Sequence, residues 1–92
     1  VLKPQVLDLN EMVRRLEKLL ERLLGETIGV EHDLAVDLGL VRADLGQIEQ
    51  VIVNLAINGR DAMPDGGRLL VSTANTDAPD GPILKLTFSA LN

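Results

Sequence analysis

The stretch "NLAINGRDAMPDGG", residues 54–67, decides how this sequence is read. Asn54, Asn58 and Asp61 recur at i, i+4 and i+7, which places them on one stripe of a helix. Ile48, Val51, Ile52, Leu55, Ala56, Ala62 and Met63 form an apolar face on the same turn spacing, so the helix is predicted over about 45–62. Asp44 stands at the N-cap, and Gln47 three residues on completes a capping-box spacing. Pro64 ends the helix, and Gly66-Gly67 turns the chain into the next strand. Side-chain amide oxygens are hard donors that can complete the octahedral shell of a Mg²⁺ ion shared with phosphate. A plain solvated face has the same spacing, so both readings stand at this point. Gly59 costs about 1 kcal/mol against Ala inside a helix, and no local feature accounts for it.

Working outward, residues 5–9, "QVLDL", alternate as a short strand. Asn10 is read as an N-cap, with Glu11 suited to the positive helix end. Val13, Leu16, Leu20, Leu23 and Leu24 then define an amphipathic helix over 10–24 that Gly25 stops. "TIGVEHDLA" (27–35) alternates as a half-buried strand, and a short strand follows a turn through Leu40–Arg42. "RLLVSTAN" (68–75) and "ILKLTFSAL" (83–91) read as two strands joined by "TDAPDGP", whose Pro and Asp-Gly chemistry suits a turn. The order strand, helix, two strands, helix, two strands predicts an α+β two-layer α/β sandwich, with two helices on one face of a mixed sheet. Residues 1–92 form a single domain, without internal repeats.

Composition narrows the function. The chain has 92 residues, a formal charge of −5, one Phe, no Trp, no Tyr and no Cys. An acidic chain without aromatics lacks both the basic face and the stacking platforms that bind nucleic acid. Without cysteine there are no disulfides, no thiolate chemistry and no Cys-type zinc site, as befits a reducing compartment. No apolar run approaches the ~20 residues of a membrane span, and no signal-peptide pattern opens the chain, so the cytoplasm is expected. His32, the single histidine, lies in a strand pattern and is read as a strand-face residue, not a phosphoacceptor. Glu49 is read as helix surface. An aliphatic core buries less area per residue than an aromatic one, leaving little surplus over ordering entropy.

The longer string "QIEQVIVNLAINGRDAMPDGG" resembles the N-box of the histidine-kinase ATPase domains, whose superfamily includes DNA gyrase, MutL and the ninety-kilodalton heat-shock chaperones. The family form runs close to N-L-x-x-N-A-R-D-A-M-P-x-G-G, matched from Asn54 to Gly67 except at Gly59. "KPQVLDLNEMVRRLEKLL" and "IGVEHDLAVDLGLVRADLGQIEQV" resemble the segments that precede the N-box. The resemblance covers residues 3–75. It implies ATP and Mg²⁺ as cofactors, with Asn58 coordinating Mg²⁺. Asn54 falls one turn earlier, where gyrase-type relatives place a glutamate base and kinases often have Asn. Asp61 falls where many kinases place a phosphate-contacting Lys or Arg, and Arg60 is the alternative phosphate contact. The implied activity is phosphoryl transfer from ATP to a histidine on a partner helix domain.

The resemblance stops short in one place. The family pattern continues into D-x-G-x-G, whose Asp recognises the adenine amino group, and then into a lid. Ala90 stands where that aspartate is expected, and no glycine follows it. The expectation is therefore a truncated histidine-kinase ATPase fold with little or no ATP binding and no catalytic residues of its own. The absent elements would expose apolar strand faces and a strand edge, so self-association as a dimer or swapped pair is expected. The alternative is a non-enzymatic self-associating or partner-binding module that uses those surfaces.

Overall fold

Asp8 sets the start of the first helix. Its carboxylate accepts a hydrogen bond from Asn10 N–H at 2.9 Å, and its carbonyl receives Met12 N–H at 3.2 Å. In the computed structural model, which describes residues 2–77 and 81–91, helix α1 therefore spans Leu9–Leu24 and strand β1 only Pro4–Leu7. Asn10 was expected at the N-cap; the residue two places earlier takes that role, and Asn10 turns inward. The remaining elements are β2 (Ile28–Asp33), β3 (Val41–Asp44), α2 (Leu45–Asp61), β4 (Gly67–Ala74) and β5 (Ile83–Ala90). The order and type of elements follow the sequence expectation. Residues 78–80, which carry most of the expected hairpin-turn chemistry, lie outside the described residues.

The strands form two sheets where one was expected. β2, β4 and β5 make a mixed sheet, with β4 in the centre, parallel to β2 and antiparallel to β5. β1 and β3 form a separate antiparallel ribbon, pairing Pro4 with Asp44 and Leu7 with Val41. Both helices pack on the mixed sheet, giving the two-layer α+β sandwich. β4 alternates buried and exposed residues, with Leu69, Val71 and Thr73 beneath the helices. The opposite face carries Glu31, Arg68, Lys85 and Thr87. A period of two on a half-covered sheet produces this division.

α1 supplies Leu9, Met12, Val13, Leu16, Leu20 and Leu24, half of the buried apolar residues among those described. Ile28, Ile52, Ala56, Met63, Leu69 and Val71 complete the core. A small polar triangle sits at its edge. Thr73 Oγ1 donates to Asn10 Oδ1 at 2.6 Å and accepts Ala35 N–H at 2.9 Å, while Asn10 Nδ2 donates to Ala35 O at 2.8 Å. The three bonds join the first turn of α1, the end of β4 and the segment that follows β2. Asn75 holds the next loop by accepting Gly39 N–H at 2.8 Å and donating to Asp37 O at 3.0 Å.

Three glycine positions are steric requirements, and at Gly67 a Cβ would lie 2.3 Å from Ser89 O. At Gly66, with φ +95°, a Cβ would lie 2.5 Å from Thr27 O. At Gly59 a Cβ would lie 2.1–2.5 Å from the ring of Phe88 on β5. The residue that local propensity left unexplained is the point where α2 presses its backbone on the only aromatic side chain.

Thr73→Val keeps the shape of the side chain but leaves Ala35 N–H and Asn10 Oδ1 without partners. It is expected to lower stability by about 2 kcal/mol, read as a lower urea midpoint at unchanged slope. An unchanged midpoint would show that the triangle contributes nothing.

Candidate functional site

α2 starts from a strong cap. Asp44 accepts Gln47 N–H at 3.0 Å and, across the β1–β3 ribbon, Lys3 N–H at 2.6 Å. These N–H groups, Lys3 foremost, together with Gly46 N–H, hold its carboxyl below the ordinary 3.8, against an opposing effect of desolvation. The expected cap is therefore present, and it also ties the ribbon to the helix.

The helix has three longitudinal zones. Ile52 and Ala56 face the core, and Ile48 and Gly59 flank them. Val51 and Leu55, expected in the apolar face, are instead 56% and 44% exposed. The sheet reaches only to β5 on this side, so an apolar stripe three to four residues wide cannot be fully covered. Beyond them lie Asn54, Asn58 and Asp61, all exposed on one stripe as their spacing requires. Gln47, Ile48, Val51, Ile52 and Leu55 of α2 line a groove with Leu84 and Leu86 of β5. One wall of this groove is therefore the flank of the amide stripe.

The expected site residues are in different states. Asn54 Oδ1 accepts a hydrogen bond from Gln50 Nε2 at 3.1 Å. No hydrogen bond joins the side-chain amide of Asn58 to any described residue, so both its oxygen and its NH₂ face solvent. Arg60 points away towards α1, donating from Nη1 to Leu23 O at 3.1 Å. Its Nε and Nη2 contact Asp61 Oδ1 at 3.3 and 3.4 Å. Arg60 thus neutralises Asp61 while satisfying one of the free carbonyls that every helix C-terminus leaves. Asn54, Asn58 and Asp61 share a surface; Arg60 belongs to the joint between helices.

Other candidate chemistry lies apart from this stripe. His32 faces inward on β2, as expected, and its Nε2 is buried without a hydrogen-bond partner. Gly66-Gly67 leads into β4 with the close backbone approaches described above, as a turn would. A broad surface hollow lies between α1 and β2, lined by Lys18, Glu21, Arg22 and Glu26 beside Ile28 and Val30. Its charges are mixed, and none of its lining residues belongs to α2. Among the described residues, no cluster of three or more His, Cys, Asp or Glu could hold a metal ion alone. No helix among them is long and apolar enough to cross a membrane. The Phe88–Gly59 contact was not read from sequence; the only signal was an otherwise costly glycine beside a chain's single aromatic.

The chain is similar to known proteins over most of its length. The chain is 52% identical over 79 residues to sensor kinase CckA of Brucella abortus (strain 2308), a match that covers 86% of the chain. It is 32% identical over 81 residues to sporulation kinase C of Bacillus subtilis (strain 168), covering 80% of the chain. These matches span 8% and 19% of the two kinases. No family model matches the chain. Among solved structures, the catalytic domain of histidine kinase ThkA, in a nucleotide-free form, superimposes with a TM-score of 0.74 at 19% identity, over 98% of this chain and 60% of that one. Acinetobacter baumannii histidine kinase AdeS follows with a TM-score of 0.66 at 26% identity, over 84% of this chain and 38% of that one. A ThkA structure in complex with the response regulator protein TrrA gives a TM-score of 0.64 at 23% identity, over 84% of this chain and 23% of that one.

The cap of α2 makes a pH-dependent contribution whose sign is set by the lowered carboxyl. Its stabilisation is present in full above the ordinary value of 3.8 and is lost as the pH falls from there through the native value. Asp44→Asn keeps a capping oxygen but does not titrate. Urea midpoints followed from neutral pH into the acid range should fall less steeply for Asp44→Asn than for the parent chain. Parallel acid limbs would mean that other carboxylates dominate.

Proposed function

The chain belongs to the catalytic ATPase domains of sensor histidine kinases, and from that membership we propose that its α2 stripe supplies one wall of a Mg²⁺–ATP site. The observation that carries this reading is the amide of Asn58, exposed and unpaired while the polar side chains nearest it, Asn54, Arg60 and Asp61, all have hydrogen-bond partners. Mg²⁺ takes few protein ligands and fills its shell with water and phosphate oxygens. A single free amide oxygen beside Asn54 fits that demand, and a closed protein cage is not required.

In this reading Asn58 Oδ1 is the metal ligand. Asn54, held by Gln50, is oriented one turn earlier, where its NH₂ can donate to phosphate or to a metal-bound water. Asp61 brings a carboxylate towards an anionic ligand, which is unfavourable unless it is neutralised, and Arg60 does this. Its guanidinium is turned towards Leu23 O on α1, so Arg60 would serve phosphate only by leaving that bond. When bound, Mg²⁺ supplies charge neutralisation and ATP the phosphoryl group. The acceptor is a histidine on a partner helix domain of the parent kinase, acting in two-component signalling in the cytoplasm. ThkA has been solved with a response regulator, and a partner of that kind is proposed for the parent. His32, half-buried on β2 with its Nε2 buried, is not proposed as the acceptor.

β5 closes with Ala90 at the position where the family places the carboxylate that meets an adenine edge. By itself the chain is therefore proposed to bind nucleotide weakly and not to turn it over. A second reading rests on a separate observation. β5 is paired only with β4 among the described strands, and Val51, Leu55 and Ile83 are all about half exposed beside or along it. An open edge next to apolar surface favours association with a second copy.

Titrating Mg²⁺–ATP into the isotope-labelled chain should move the side-chain amide resonances of Asn58 and Asn54 first. Asn58→Ala should abolish the response without changing the urea midpoint, because the residue is exposed. Hydrolysis should be negligible; turnover on the order of 1 s⁻¹, usual for kinases, would contradict the proposed inactivity. For the second reading, light scattering at micromolar concentration should give a dimer mass that Leu55→Glu returns to monomer. A monomer throughout would remove that reading and leave the first intact.

A further inference from the structure

The core-facing positions of α2 advance by four, three and four residues: Ile52, Ala56, Gly59 and, just past the helix, Met63. At the third of these the helix contributes no side chain. The sheet fills the place instead, with the Phe88 ring so close that a Cβ on Gly59 would lie 2.1, 2.4 and 2.5 Å from three ring atoms. The turn that meets the ring is the one bearing Asn58, the preceding residue, and Arg60, whose guanidinium reaches across to Leu23 O at 3.1 Å. The last turn of α2 is thus located by one ring from below and one tether from the side. Neither could be replaced by the alanine that helix propensity favours at position 59.

We propose that Phe88 is a positioning residue for the candidate site: its ring, seated on the bare backbone of Gly59, fixes the height and rotation of the α2 turn that presents the Asn58 amide. The pair acts as a unit. A methyl at position 59 must push either the ring or the helix away, because an aromatic side chain has few torsions with which to yield. Loss of the ring alone leaves a void against which the turn settles. In both cases Asn58 moves although its own bonds are untouched. A compensating exchange, with a methyl gained on the helix and the ring traded for a smaller aliphatic side chain on the strand, restores the fit. The role in ligand binding rests on the proposed Mg²⁺–ATP reading; the positioning itself does not.

The test compares Gly59→Ala, Gly59→Ala/Phe88→Leu and, as a control weakened elsewhere in the fold, Thr73→Val. Each variant of the 92-residue chain is examined by amide resonances and by Mg²⁺–ATP titration. Gly59→Ala should shift the Asn58 side-chain resonances and weaken Mg²⁺–ATP binding about tenfold, the lower end of what loss of a supporting residue costs a metal site. The double substitution should restore both. Thr73→Val should lose stability while keeping the parent's Asn58 resonances and affinity. The proposal is overturned if Gly59→Ala leaves the Asn58 resonances in place, or if Thr73→Val disturbs Asn58 as much. If the parent chain shows no response to Mg²⁺–ATP, the nucleotide reading fails, and the resonances alone decide the positioning.

Discussion

The cover that α1 lays over β4 is the constraint on which the other contacts depend. Among the described strands β4 is the one paired on both sides, and its inward residues Leu69 and Val71 are among the most buried. With a single aromatic available, that burial has to come from many aliphatic contacts, and α1 supplies half of the buried apolar residues among those described. The register of the helix over the strand is fixed where apolar packing is least specific. Asn10, Thr73 and Ala35 close a hydrogen-bonded triangle whose donors and acceptors tolerate no sliding. Asp8 takes the cap and so frees Asn10 for this task.

On that base α2 serves as core, groove wall and exposed amide face at once. Its buried side is narrow, being Ile52, Ala56 and the bare backbone of Gly59. The helix approaches the sheet closely there and leaves Val51 and Leu55 uncovered along the groove. Asp44 at one end and Arg60 at the other tie it to the β1–β3 ribbon and to α1. Both ends of the helix are therefore held by polar contacts to other elements.

Much of this was legible in the sequence, for reasons that differ by residue. Leu16, Leu20 and Leu24 announce α1 because a helix buries one stripe at a fixed period. Asp44 and Gly66-Gly67 announce the bounds of α2 and β4 because capping and turn chemistry are local. The misreadings fall where the partner is distant. Asn10 has the right residue type for a cap, and only the proximity of β4 gives it a better use. Val51 and Leu55 continue an apolar period, but exposure depends on how far the sheet extends. The division into a sheet and a separate ribbon depends on pairings between strands far apart in the chain.

The sequence by itself determined the element order, the family likeness and the alignment of Asn54, Asn58 and Asp61, because each follows from local spacing along the chain. Only the tertiary structure decided which of those side chains is free. Asn58 is unpaired, Asn54 is held by Gln50, and Arg60 is committed to α1, since hydrogen-bond partners are set by what the fold brings near. Gly59 belongs to the second class as well: its cost is local, but its reason is a ring twenty-nine positions further along the chain, brought within contact of the helix backbone by β5.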